Sequence, residues 1–180
     1  MTPIECIKTR RSIRNFTNTP IPHSVLSEIV EAASYAPSWK NTQITRYIAI
    51  ENSAKKAQIA EECTNIYKNN GEIIKRSAML IAVTIIKNRS GFERDGSFST
   101  PKGTGWQMYD AGIASEAFCL AAWEKGIGSV ILGLFDEEKA SGLLALPKDR
   151  ELVALIAIGY PDETPAAPKR KTTDELLTIL

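Results

Sequence analysis

The chain has 180 residues, 43% of them hydrophobic, and its 22 Lys and Arg against 21 Asp and Glu leave a formal net charge of +1. That is enough chain for one domain with a real core, and the near-neutral balance argues against a general nucleic-acid binder, which carries a larger basic excess. The N-terminus has no signal-peptide pattern, and the longest apolar run, Ala78 to Ile86, is too short to cross a bilayer, so a cytoplasmic protein with no membrane partner is expected.

Residues 2–9 predict a short helix that ends before the densest charge in the chain, Arg10-Arg11-Ser12-Ile13-Arg14. Arginine presents a planar fork of donors suited to phosphate oxygens, and serine adds a hydroxyl. Ile4, Ile7, Ile13 and Phe16 flank the cluster and are expected to anchor it to the core, which a flexible tail would not need. Taken alone, such a cluster also reads as a solvated basic face. Pro20 and Pro22 mark a turn, and Val25, Leu26, Ile29, Ala32 and Ala33 then repeat at helical spacing until Pro37 forbids continuation.

The polar loop 37–43 leads into a strand at Tyr47–Ile50. Ser53 is expected to cap one helix reaching about Asn69, with Asn70-Gly71 as its stop. Residues 79–86 are apolar on both faces, the mark of a strand inside a sheet. A long Gly, Ser, Lys and Arg loop covers 87–105, and a length like that in a compact domain points to function. From Trp106 to Lys125 runs a helix rich in small residues, expected to be buried, including at a subunit contact. A strand over 128–133, a short helix capped by Asp136 and an apolar strand over 152–158 complete the body. From Asp162 the chain changes character: Pro161, Pro165 and Pro168 favour an extended arm, Lys169-Arg170-Lys171 forms a second basic cluster, and Leu176, Leu177 and Leu180 give it an apolar tip.

Classical protein catalysts are poorly represented. Cys6, Cys63 and Cys119 are odd in number and widely spaced, which argues against a disulfide framework or a zinc site. His23 is the one histidine, so a Cys/His mechanism has little support, and the cysteines read as small core residues.

Four motifs in order resemble the nitroreductase family: Arg10–Phe16; Ala32-Ala33 with Ala36-Pro37-Ser38 and Asn41-Thr42-Gln43; Tyr109–Ala114 running on to Gly126-Ile127-Gly128-Ser129; and Ile158-Gly159-Tyr160-Pro161 followed by Lys169-Arg170-Lys171. The resemblance implies an α+β fold over residues 1–180, a central mostly antiparallel sheet flanked by helices, with 162–180 as a C-terminal arm of an interlocked homodimer. It implies FMN at the subunit interface, with NADH or NADPH as electron donor and a nitroaromatic, quinone or flavin as small-molecule acceptor in a ping-pong cycle. Carried over by residue, Arg10, Ser12 and Arg14 would hold the FMN phosphate, ribityl chain and ring edge, with Arg11 beside them, and Lys169 and Lys171, or Arg170 instead, would close on the phosphate. Pro37, Ser38 and Asn41 would come from the other subunit, and the amides around Leu132 and Gly133 would face the ring. Two stretches depart from the family pattern: Gln43 is followed by Ile44-Thr45 rather than Pro-Trp, and Trp39 and Lys40 are bulkier than usual. Trp106 and Phe92 are candidates for lining the pocket. The competing reading is a protein of this fold that binds flavin or another anionic nucleotide without reductase activity.

Overall fold

The computed structural model describes residues 1–180. Its centre is a four-stranded sheet in the order β1-β2-β4-β3, with β1 at Thr45–Ile50, β2 at Met79–Ile86, β3 at Gly128–Leu132 and β4 at Arg150–Gly159. Every pairing is antiparallel, and a register shift falls between Val83 and Thr84 where β2 meets β4. The two central strands are buried on both faces, as the continuous apolar run in 79–86 demands. Leu80 and Ala82 point into one core layer, under α3 (Ser53–Cys63), α4 (Lys68–Arg76) and α6 (Glu137–Leu143). Met79, Ile81 and Val83 point into the other, under α2 (His23–Ser34) and α5 (Gly105–Glu124), where Phe118 and Ile29 are fully buried.

The short helix α1 (Pro3–Thr9) begins with a capping box, Thr2 accepting from the Glu5 amide and Glu5 from the Thr2 amide. Cys6 is its only buried residue; Ile4 and Ile7 are exposed by 60% and 55%, so they do not anchor the arginine cluster within this chain. Ile13 and Phe16 do that alone, at 0% and 8% exposure.

The helix expected over 53–69 is two helices. α3 is capped by Asn52, one residue earlier than expected, and ends at Cys63, whose carbonyl is taken by the Asp136 amide at 2.7 Å. The chain turns at residues 64–67 and doubles back as α4, so Asn70-Gly71 lies inside a helix instead of stopping one. Gly71 serves the contact between the two: a Cβ there would sit 2.6 Å from Thr64 Oγ1 and 3.0 Å from the Ala60 carbonyl oxygen. The three cysteines are buried and unpaired, and burial pushes each thiol up, in keeping with small core residues. No helix is long and apolar enough to cross a membrane.

After β4 the chain leaves the body. Beyond a last single turn, α7 (Thr173–Leu176), it remains extended, and Leu176, Leu177, Ile179 and Leu180 are all exposed.

Candidate functional site

The arginine segment is laid on the end of the sheet. Ser12 bridges to Ser129 in β3, with the Ile13 amide donating to the Ser129 carbonyl at 3.0 Å, and Phe16 bridges to Pro161 just past β4. Beneath it, Gly128 and Gly159 are directly opposed across the β3–β4 pair. A Cβ on Gly128 would be 2.6 Å from Ile13, and one on Gly159 would be 2.8 Å from Phe16. Two glycines in one cross-strand pair therefore open the space that seats both anchors. Burying an isoleucine such as Ile13 contributes about 1.5–3 kcal/mol, enough to fix a segment whose polar side chains then face outward.

Those polar side chains form one wall of a cleft of about 290 Å³: Arg10, Arg11, Ser12 and Arg14. The other wall is the arm, through Pro165, Ala166, Pro168 and Arg170. Basic groups separated by most of the sequence thus meet in one concavity whose lining holds four arginines and no carboxylate. The arm's contribution is Arg170; Lys169 and Lys171 are exposed and do not line the cleft. Arg11 spends part of its guanidinium on the end of α1, donating through one nitrogen to the Lys8 and Arg10 carbonyls at 2.8 Å each. Arg10 has spare capacity: its Nε is buried without a hydrogen-bond partner and lies 3.7 Å from Glu116 Oε1 on α5. An orphaned guanidinium donor among three further arginines and a serine hydroxyl is a donor set suited to phosphate oxygens. Leu132 and Gly133 close β3 on the same edge strand, Leu132 buried and Gly133 exposed.

Pro37, Ser38 and Asn41 lie elsewhere. Pro37 and Ser38 line a second cavity, of about 370 Å³, between α2, β1 and α5, whose walls include Leu26, Ala33, Tyr47 and Ala49. Within one chain they are not part of the arginine cleft. The loop that carries them is strained, with positive φ at Lys40 (45°), Asn41 (54°) and Gln43 (46°). Such conformations cost about 1–3 kcal/mol each and persist only where surroundings enforce them. Here the buried Asp110 carboxylate accepts the Trp39 amide with both oxygens at 3.1 Å, Ser38 Oγ accepts the Gln43 amide at 3.0 Å, Arg46 donates to the Gln43 carbonyl at 2.6 Å, and Lys40 pairs with Glu93 at 2.9 Å.

The 87–105 loop is a built structure. Phe92 bridges to and stacks on Phe98 with ring centroids 4.9 Å apart, and Trp106 Nε1 donates to Thr100 Oγ1 at 2.7 Å. Trp106 packs on Trp39 at 4.6 Å and on Tyr109 at 5.6 Å. With Lys102 and Gly105, Trp106 and Tyr109 line a cavity of about 400 Å³. Phe92 does not line it, so its part is to pack the loop. Sequence reasoning missed Asp110, Glu116 and Glu163 as partners of the site loops; Asp110 stands inside the motif Tyr109–Ala114 but with no partner legible there, and Glu116 and Glu163 are brought in by tertiary contact alone.

The chain is an α+β protein whose sheet end carries an arginine cleft covered by an arm returning from the C-terminus. The model of the nitroreductase family matches residues 7–160, and the chain belongs to that family, which places it among the oxidoreductases. A Bacillus subtilis relative named for NAD(P)H nitroreductase activity is 28% identical, over 92% of this chain and 88% of its own. A nitroreductase family protein of Clostridium novyi superimposes with a TM-score of 0.79 at 31% identity, covering 93% of this chain and 89% of that one. A nitroreductase-type protein of Desulfovibrio desulfuricans, solved in complex with FMN, superimposes with a TM-score of 0.79 at 26% identity, over 100% of this chain and 98% of its own.

Proposed function

We propose that the protein is an FMN-dependent oxidoreductase that takes hydride from NADH or NADPH and passes the electrons to a nitroaromatic, quinone or flavin acceptor. The observation that carries this reading is the arginine cleft closed by the arm, together with membership of the family. Bound FMN would supply the two-electron chemistry, accepting hydride and returning electrons at its ring. The chain's own residues bind and tune. Arg10, Ser12, Arg14 and Arg170 take the phosphate end, with Arg11, Lys169 and Lys171 raising the local positive potential. The backbone amides at Leu132 and Gly133 would face the flavin ring, where an amide donor favours negative charge.

The site is completed by a second copy, which brings Pro37, Ser38 and Asn41 to the cofactor. Three features support a homodimer. One is the exposed apolar surface of α1 and α5, with Ile4, Ile7, Met108 and Tyr109 in it. Another is Gly112 on α5, around which a Cβ would meet nothing within 4 Å, leaving room for close approach. The last is the arm, whose apolar tip covers nothing in its own chain, while β1 stands at the sheet edge beside an apolar cavity.

The test is a visible spectrum of freshly purified protein, then titration with NADH and with NADPH under anaerobic conditions. Flavin absorption that bleaches with one donor is the expected result. A colourless protein that takes up no added FMN would overturn the proposal.

A further inference from the structure

Glu163 stands where the arm leaves the body, and it is tied to the arginine segment by three hydrogen bonds. Its Oε1 accepts the backbone amides of Arg14 and, at 3.1 Å, Asn15; its Oε2 accepts the Asn15 side-chain amide at 2.8 Å. Asn15 is gripped from two further sides, its carbonyl accepting the Asp162 amide at 3.0 Å and its Oδ1 accepting from Arg76 at 2.7 Å. Glu163 does not line the cleft, yet the cleft's second wall begins two residues later at Pro165. The prolines that follow stiffen the path to Arg170, so the position of Glu163 is carried to the guanidinium facing the arginine segment.

We propose that Glu163 is a latch that sets the gap between the two walls of the cleft, a positioning residue on which affinity for the cofactor phosphate depends although it never touches the ligand. The inference rests on the reading of the cleft as the FMN phosphate site. Burial raises the Glu163 carboxyl, but the amides of Arg14 and Asn15 and the Arg14 charge outweigh it and hold the group below the usual carboxylate range. The charged groups around it are Arg14 on the same segment, Arg76 with its partner Glu72 on α4, and Asp162 next to it in the chain. A carboxyl lowered by folding keeps its charge and its bonds through the usual carboxylate range and loses them only as pH falls through its own lowered value, so the latch releases in acid.

The experiment compares wild type, Glu163→Gln, Asn15→Asp and the double variant, measuring FMN affinity across acid to neutral pH and the rate of tryptic cleavage at residues 169–171 without FMN. Glu163→Gln sets an amide donor against the Asn15 amide donor, and its FMN affinity falls about tenfold or more, with faster cleavage and an acid limb reduced to the part that titration of the FMN phosphate itself supplies. Asn15→Asp sets two carboxylates face to face and is weaker still. Combined, the new amide at 163 donates to the new carboxylate at 15, and affinity and cleavage rate return towards wild type. If Glu163→Gln does not fold, the double variant alone decides, and a cleavage rate far above wild type overturns the latch. Equal affinity and cleavage in wild type and Glu163→Gln overturn it as well. If wild type binds no FMN, the cofactor reading fails instead, and the cleavage rates still judge the latch.

Discussion

Gly128 lies directly under Ile13, so near that a single added methyl carbon would come within 2.6 Å of the isoleucine side chain. The contact joins the sheet to the segment that carries three arginines of the cleft. Gly128→Ala forces one of the two to move, and so does Gly159→Ala under Phe16, since overpacking of this kind costs about 1–3 kcal/mol. Both variants are expected to unfold at lower urea concentration and to retain less FMN. Gly142→Ala is the contrast: in α6 a Cβ there meets nothing within 4 Å, and a helical glycine costs about 0.5–1 kcal/mol relative to alanine. That variant should gain stability by a similar amount.

Arg10 and Arg14 make few demands on the fold. Arg10 lies 3.7 Å from Glu116, and Arg14 donates to the Ser12 carbonyl at 3.3 Å. Replacing both with alanine should leave thermal unfolding nearly unchanged. Each charge-assisted bond to a phosphate contributes about 1.5–3 kcal/mol, so FMN retention should weaken by roughly 10²- to 10⁴-fold. Equilibrium dialysis against FMN measures it, and an unchanged affinity would remove both residues from the phosphate site.

The arm tip presents Leu176, Leu177, Ile179 and Leu180 to solvent in the isolated chain, with Ile179 86% exposed. An exposed apolar cluster of this kind marks an interaction surface, and the proposed dimer would cover it. Deleting residues 172–180 should shift sedimentation towards the monomer without altering the circular dichroism of the body. A truncated protein that still sediments as a dimer, like its parent, would leave α1 and α5 as the contacts of the proposed dimer.

Lys56 is 6% exposed, and its ammonium donates to the carbonyls of Ser77 and Ala78, tying α3 to the junction between α4 and β2. Burial lowers its pKa below the ordinary lysine value. Between that lowered value and the unfolded one, the unfolded chain binds more protons, so this group makes stability rise with pH across the alkaline range. Lys56→Met should abolish that slope. It also strands two carbonyls, at about 1–3 kcal/mol for a lost buried partner. Urea titrations at several alkaline pH values measure both effects.

How much of this could be read in advance varies along the chain. Residues 79–86 announced a doubly buried strand because a run apolar on both faces has no other place in a sheet. The stretch 53–76 misled, because Asn70-Gly71 is a helix stop only when nothing packs against it; here the glycine admits Thr64 and Ala60. Ile4 and Ile7 misled for a related reason, since their apolar character says that they seek cover but not whether their own chain supplies it. Among the basic residues of the arm, local sequence could not choose between Lys169, Arg170 and Lys171; the direction of an extended chain decides, and Arg170 is the one that faces the cleft.

The sequence by itself determined the ingredients: the helical and strand periods, the concentration of arginine near one end and of lysine and arginine near the other, and the lack of any nucleophile with a partner. Those properties are local, set by residue type and spacing over a few positions. Only the tertiary structure decided that the two ends meet, that Gly128 and Gly159 make the seat for the arginine segment, and that Glu163 grips it. Each is a contact between residues far apart in the chain, fixed by which surfaces the packed sheet brings together.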